Sequence, residues 1–496
     1  MKKIMCLVLV LLMVLPFAVA CADNTGDGEA VDTTTPAASA GDASSTTTPA
    51  DSGETPSDTT TEAKLTPDLP EGVKYNGYEF VVANDYADAT KYTTNAIRSD
   101  TQTGEPINDA LYERTLLIED MFGIKIVDED IDLTPAMNVF ASGEDVYAVV
   151  TPDLSHVMSV VNKGYALDMN EIDTIDMTMP WWDQNAIEKL SINGAVYYTF
   201  SDFFITAMDN ARATYFNKQL ITDLSLENPY ELVKAGKWTI DKMSEMAVTA
   251  VNDLDGSGKI DTQDRVGIAN NATTFYEAML TGCDAEIIKQ KDGVPYFCCY
   301  DEQEYFVNVY QTLLNTFNKD NRYLIAATDD ARNMFINGNS LFVVDTLYMA
   351  AISRQQEINF GILPVAKWNE AQEKYMHVSP NPHAIVVPSV TRDTDRTGVL
   401  LEALSYYSSS HYSDEALIPA YFENSLQYKS TTDVESADML VIIHDNISYV
   451  NKIVGTTFSG QIFAYFAAGT PDISSVLKKM EKNQKKMLSD VLETLG

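Results

Sequence analysis

The chain has 496 residues, with 34 Lys and Arg against 72 Asp and Glu and a net charge of −38 at neutral pH. So acidic a surface repels phosphate backbones and anionic lipid, which argues against nucleic acid as a partner and holds the folded body off a membrane surface. An apolar content of 45% with 10% aromatic residues suits a soluble protein with a large core, and the length exceeds that of one ordinary domain.

Residues 1–20 read as an export signal. Lys2 and Lys3 give the positive start, Ile4 to Ala20 is an apolar run broken by Pro16, and the small residues Ala18 and Ala20 precede Cys21. The run is barely long enough to span a bilayer and has proline near its end, which argues against a permanent anchor. Ala18-Val19-Ala20-Cys21 resembles a bacterial lipobox, with Ala18 where leucine is preferred. That resemblance implies acylation of Cys21, with membrane attachment through lipid alone. Residues 21–70 are a Thr/Ser/Asp/Pro-rich tract, as in Asp32-Thr33-Thr34-Thr35-Pro36 and Ser45-Thr46-Thr47-Thr48-Pro49. Too few apolar side chains are present there to offset ordering entropy, so a disordered tether is expected. A lipid at one end and a body at the other place the protein on the extracellular face of a cell membrane, in a Gram-positive, thick-walled setting. Cys283, Cys298 and Cys299 are the cysteines of the body, an odd and sparse set that reads as buried thiols, with pairing of Cys283 and Cys298 left open.

From residue 71 onward no second linker or repeat interrupts the chain, which points to two lobes with short connections. Tyr78 to Val82 reads as a strand, and Ile107 to Met121 as an amphipathic helix carrying Leu111, Leu116, Ile118 and Met121. Ile124 to Ile126 and Asp145 to Val150 read as further strands, the latter followed by a helix through His156 to Asn162. This alternation predicts a mainly parallel α/β sheet, whose ligands bind beyond the carboxyl ends of the strands. Asn84-Asp85-Tyr86 and Thr151-Pro152-Asp153 occupy two such ends. Thr239 is a predicted N-cap with Asp241 in the first turn, and Asp472 to Leu495 is a closing helix rich in lysine.

The order of segments resembles the family 1 extracellular solute-binding proteins, the group that includes maltose-binding proteins. The resemblance rests on Gly164-Tyr165-Ala166-Leu167, Pro180-Trp181-Trp182-Asp183, Ile192 to Tyr198, Tyr215-Phe216-Asn217-Lys218, Gly236-Lys237-Trp238-Thr239, Phe335 to Ser340 and Phe360-Gly361-Ile362-Leu363-Pro364. Each match is loose; together, in order, they cover nearly the whole body. The resemblance implies a two-lobed, periplasmic-binding-protein-like α/β fold of type 2, with hinge crossovers and an inter-lobe ligand cleft. It sets lobe 1 at residues 71–205 and about 365–420, and lobe 2 at 206–364 and about 421–496. It also implies a monomer that captures a carbohydrate, expected to be an oligosaccharide, and delivers it to the permease subunits of an ABC importer.

Laid over that pattern, the ligand residues are Asn84, Asp85, Thr151 and Asp153 after strands of lobe 1, and Asp209 and Asn210 at the crossing. Thr273, Thr274 and Phe275 on the wall of lobe 2 follow, with Asp345, Thr346 and the stacking ring Tyr348. The motif positions of Trp181, Trp182 and Trp238 point instead to core packing, while Trp368 is expected in an exposed loop.

The sharpest local pattern is Asp253 to Asp264. Read as a twelve-residue EF-hand loop, it sets Asp253, Asp255, Ser257, Asp261 and Asp264 at the oxygen positions, adds the Lys259 carbonyl, and turns at Gly258. Asp264 stands where the loop normally ends in glutamate. A structural Ca²⁺ is expected, pinning the connection in lobe 2. No catalytic motif accompanies these features. The five histidines show no metal spacing, and no nucleophile elbow or phosphate-cradling loop occurs. A non-enzymatic binding protein is therefore the reading; a surface glycoside hydrolase, a polysaccharide-holding adhesin and a carrier of a non-sugar solute are the alternatives.

Overall fold

The computed structural model describes residues 65–85, 96–353, 356, 358–422 and 434–495. The signal segment, Cys21, most of the tether and Tyr86 lie outside the described residues.

Strands β1 (Tyr78–Asp85), β2 (Ile124–Ile131) and β3 (Val149–Thr151) form a parallel sheet in the order β2-β1-β3. Parallel pairing needs a crossover on each connection, and the helices Pro106–Phe122 and Leu133–Ser142 provide them. The first starts on proline, whose missing N–H costs nothing there, and stops at Gly123, a left-handed residue (φ 61°) whose N–H donates to the Glu119 carbonyl. Its buried stripe runs Leu111, Thr115, Ile118, Phe122. Leu116 falls off that stripe and is 49% exposed, against the sequence expectation, because Thr115 takes the inward position one residue earlier. Isolated antiparallel bridges widen the sheet: Val150 with Val386, Ile385 with Thr199, and Ser201 with Trp182.

Trp181 and Trp182 are fully packed, as their motif position suggested. Both indole N–H groups donate to one buried carboxylate, Glu402, each at 2.8 Å, from the helix Thr394–Tyr406. Trp238 is likewise enclosed and donates to the Pro364 carbonyl at 2.9 Å. Trp368, expected in an exposed loop, is only partly exposed and packs edge-on against Tyr305.

The second sheet contains β4 (Arg212–Asn217) and β5 (Val266–Asn270). A small hairpin of β6 (Lys289–Lys291) and β7 (Val294–Tyr296) intervenes before β8 (Tyr323–Ile325), β9 (Ser340–Thr346) and β10 (Phe360–Leu363). Its order is β10-β4-β9-β5-β8, antiparallel across β10-β4-β9 and parallel across β9-β5-β8. Apart from the edge strand β8, whose Ile325 is exposed, these strands are buried on both faces, so they read as apolar runs without alternation. Beyond β10, β11 (His377–Ser379) pairs in parallel with β12 (Ile447–Tyr449) as a sheet of its own. The chain then meets the first sheet where the Ala384 N–H donates to the Pro152 carbonyl. Thr239 caps the helix Ile240–Thr249 as predicted, and the closing helix spans Ile473–Leu495. Cys283, Cys298 and Cys299 are buried free thiols, and burial pushes Cys298 up to about 12.

Glu402→Ala should leave two buried indole N–H groups without an acceptor. At about 1–3 kcal/mol each, a total loss near 3 kcal/mol is expected in urea unfolding. An unchanged midpoint would refute the role given to this carboxylate.

Candidate functional site

β1 and β3 pair with Asn84 opposite Thr151, so both strands end at one edge of the first sheet. The Thr151 hydroxyl donates to Asn84 Oδ1 at 2.9 Å, and Asn84 Nδ2 donates to Asp128 Oδ1 at 3.2 Å. Asp153 accepts the Ser155 N–H at 2.6 Å and forms an antiparallel bridge with His383. His383 Nδ1 lies 3.0 Å from the Thr151 carbonyl, a contact that puts the ring proton on that nitrogen. Burial lowers the His383 pKa, outweighing the Thr151 carbonyl and the nearby charges of Asp153 and Asp85, so the ring is neutral. His156 Nδ1 stands 3.9 Å from Asp85 Oδ2. Asn84, Asp85, Thr151 and Asp153 therefore converge as predicted, joined by His156 and His383. His156 was legible as the third residue after Asp153. His383 carried no local signal, because only the antiparallel return of a distant strand brings it there.

The crossing gathers a second set. The Tyr348 N–H donates to the Asp209 carbonyl at 3.2 Å, the Tyr421 hydroxyl to Asp209 Oδ1 at 2.8 Å, and the Asn381 N–H to Asn210 Oδ1 at 3.2 Å. The Thr206 hydroxyl donates to the His383 carbonyl at 3.3 Å, linking this set to the first. Tyr348 is partly exposed here, whereas Thr346 is buried. Asp345 is not a group held open for a guest. Arg332 grips both its oxygens, at 2.5 and 2.8 Å, Arg212 stands at 3.5 Å, and the Thr346 N–H donates to it at 2.7 Å. It positions the crossing instead.

Thr273 is exposed and Thr274 partly so, in the first turn of the helix Ala272–Gly282, where Asn271 accepts both their N–H groups. Phe275 corrects the expectation of a cleft wall. Its ring is fully buried and stacks on Tyr323 with centroids 4.5 Å apart, because one residue further along the helix turns the side chain into the core.

A separate cavity of about 850 Å³ opens beside the crossing between Trp182, Phe204, Met208, Ile418, Phe422 and His444. None of the residues singled out from the sequence as ligand contacts lines it. Its walls come from segments some 240 residues apart, and no local motif marks such a meeting.

In the loop at 253–264, the carboxylates of Asp253, Asp255 and Asp264 each offer an oxygen within 4.8 Å of the others. Asp253 accepts the N–H groups of Gly256 and Gly258 at 2.7 and 2.8 Å, and Asp255 that of Ser257 at 2.8 Å. The Ser257 N–H, above all, holds the Asp255 carboxyl below its usual range. Asp264 is fully buried and accepts from Leu254 and Asp261, folding the end of the loop back on its start. An all-oxygen set of this kind fits a hard divalent cation.

No protein-family model and no curated protein sequence matches this chain. Solved structures do match over most of its length. A cyclo/maltodextrin-binding protein complexed with maltotetraose is 14% identical, with 84% of this chain and 96% of that chain covered and a TM-score of 0.54. An ABC substrate-binding protein from Listeria monocytogenes in complex with cycloalternan is 12% identical, covering 85% and 99%, with a TM-score of 0.50. M. tuberculosis UspC is 13% identical, covering 82% and 100%, with a TM-score of 0.51. At this identity the likeness establishes the fold, a two-lobed, periplasmic-binding-protein-like α/β architecture. The two sugar-bound structures it shares that fold with are binding proteins rather than enzymes.

Removing Arg332 as Arg332→Met should strand the Asp345 carboxylate in the interior and cost about 3–5 kcal/mol in denaturant unfolding. A loss below about 1 kcal/mol would show that Arg212 alone suffices.

Proposed function

We propose that this chain is a lipid-anchored receptor that captures a carbohydrate at the cell surface and passes it unchanged to an ABC importer. The observation that carries this reading is the convergence, at the crossing of a two-lobed fold, of amide, hydroxyl and carboxylate side chains from both lobes with one accessible tyrosine ring. Hydroxyls of a sugar pair with such groups, and its C–H face packs on an aromatic ring. The maltotetraose- and cycloalternan-bound structures of the same fold support a carbohydrate over other solutes. Binding would favour a closed arrangement of the lobes through contacts made only there, and permease subunits would recognise that arrangement. No bond is made or broken in this scheme. Export through residues 1–20, acylation at Cys21 and the tether to residue 70 would hold the monomeric receptor at the outer face of the membrane.

In the same reading the loop at 253–264 takes Ca²⁺ through the side chains of Asp253, Asp255, Ser257, Asp261 and Asp264 and the Lys259 carbonyl. The ion would offset the repulsion among these carboxylates and fix the approach to β5, whose far end leads to Thr273 and Thr274.

Calorimetry of the purified full chain against a panel of neutral oligosaccharides, with chromatography of the sugar afterwards, tests the receptor. Saturable binding without shorter products is expected. Tyr348→Ala or Asp153→Asn should weaken it at least about tenfold, near 1.4 kcal/mol. Shorter sugars released, or no binding across the panel, would reject it. Calcium is tested separately by melting in millimolar Ca²⁺ and in chelator. A rise of about 3–8 °C with the ion is expected, largely abolished in Asp255→Asn; identical curves would refute the metal loop.

A further inference from the structure

The cavity of about 850 Å³ beside the crossing has the size of a small-molecule site and an unusual lining. Among the described residues around it there is no lysine or arginine, while four aspartates face it: Asp183, Asp202, Asp414 and Asp445. Side chains of the buried Trp182, Phe200 and Phe204 and the partly exposed Phe422 complete its walls, and Phe200 stacks on Tyr449 with centroids 4.5 Å apart.

The aspartates are not equivalent. Asp183 is spent on structure: one oxygen caps the Ala186 N–H at 2.8 Å and the other takes the Tyr449 hydroxyl. Asp445 pairs with His444 at 3.1 Å, and Asp414 is exposed at the rim. Asp202 is the informative one. It sits only partly exposed, and among the described residues no hydrogen bond or ion pair engages its carboxylate. Burial pushes this carboxyl up to about 7, although the charge of His444 pulls the other way. An acid so placed, with no partner, either keeps its proton or takes a cation beside it. These groups do not converge on a metal: the one set of carboxylates, histidines and cysteines close enough to share an ion, among the described residues, is in the loop at 253–264. No three of these groups come close enough to share one ion, and Asp414 stands exposed at the rim, which suits an elongated guest with more than one charge. The partly exposed Phe422 ring offers cation–π attraction, and the net charge of −38 steers cations towards the protein.

We propose that this cavity binds an organic cation carrying more than one ammonium group, with Asp202 as its principal anchor and Asp414 and Asp445 at the further charges. A neutral sugar offers Asp202 hydroxyl donors but leaves its charge uncompensated. The site shares no residue with the strand-end set, so a negative oligosaccharide screen leaves it standing, and a negative cation screen leaves the receptor reading standing.

The test is calorimetry of the full chain with spermidine and putrescine, and with 1,4-butanediol as the uncharged counterpart of putrescine. Saturable binding of the amines and none of the diol is expected, with spermidine the tighter. Asp202→Asn should weaken spermidine at least about tenfold, Asp414→Asn by about two- to threefold, and Tyr348→Ala should leave it unchanged. Affinity should rise from pH 5.5 to 8. Asp202 loses its proton across that range. Although burial opposes it, the net shift of His444 is upward, because Asp445, Asp202 and Asp183 outweigh that burial, and His411, Asp183, Asp414 and Asp445 face the same space. No saturable heat from either amine up to about 5 mM, equal binding of the diol, or spermidine binding that survives both Asp202→Asn and Asp414→Asn would overturn the proposal. Should Asp202→Asn fail to fold by circular dichroism, the exposed Asp414→Asn and the diol comparison decide it alone.

Discussion

The carboxylate of Asp345, buried between Arg332 and Arg212, is the contact on which the crossing depends. It ties the end of β9 to the start of β4 and to the helix Thr328–Ile336. Three segments that would otherwise approach independently are thereby fixed in one register. From that register follow the Tyr348 N–H on the Asp209 carbonyl and the Leu347 N–H on the Ala211 carbonyl. A charge buried so deeply is not a gain in stability over a well-packed apolar trio; its value is specificity of position. Exposed ion pairs elsewhere on the surface do not impose such a constraint.

Glu402 plays a comparable part in the first lobe. One carboxylate satisfies two tryptophans, so the aromatic mass beneath the sheet is locked to the helix Thr394–Tyr406. The strand ends above it then present Asn84, Thr151 and Asp153 from a rigid platform rather than from a mobile loop. Rigid lobes with a narrow, hydrogen-bonded crossing are the arrangement in which a guest between the lobes can bias one relative position over another.

Electrostatics separate the two recesses. At the strand ends each carboxylate is matched by amide, hydroxyl or imidazole, and His383 is neutral; such a surface suits hydroxyls. In the large cavity the aspartates meet aromatic faces and no lysine or arginine among the described lining. Both recesses lie in an acidic chain, yet only the second has an acid whose surroundings leave it short of a partner.

By itself, the sequence determined what depends on neighbours in the chain. Helix limits set by Pro106, Gly123 and Thr239, the apolar runs of the buried strands and the Asp/Gly spacing of the loop at 253–264 all follow from local sterics and hydrogen bonding. The strand-end residues were legible too, since the carboxyl edge of a parallel sheet is fixed by topology. Only the tertiary structure decided the rest. It turned Phe275 inward and committed Asp345 to two arginines. It brought His383 to Asp153, and it assembled a cavity from residues near 182, 204, 418 and 444. The physical reason is that burial, charge pairing and desolvation are properties of what surrounds a side chain in space, and those surroundings come from segments hundreds of residues away.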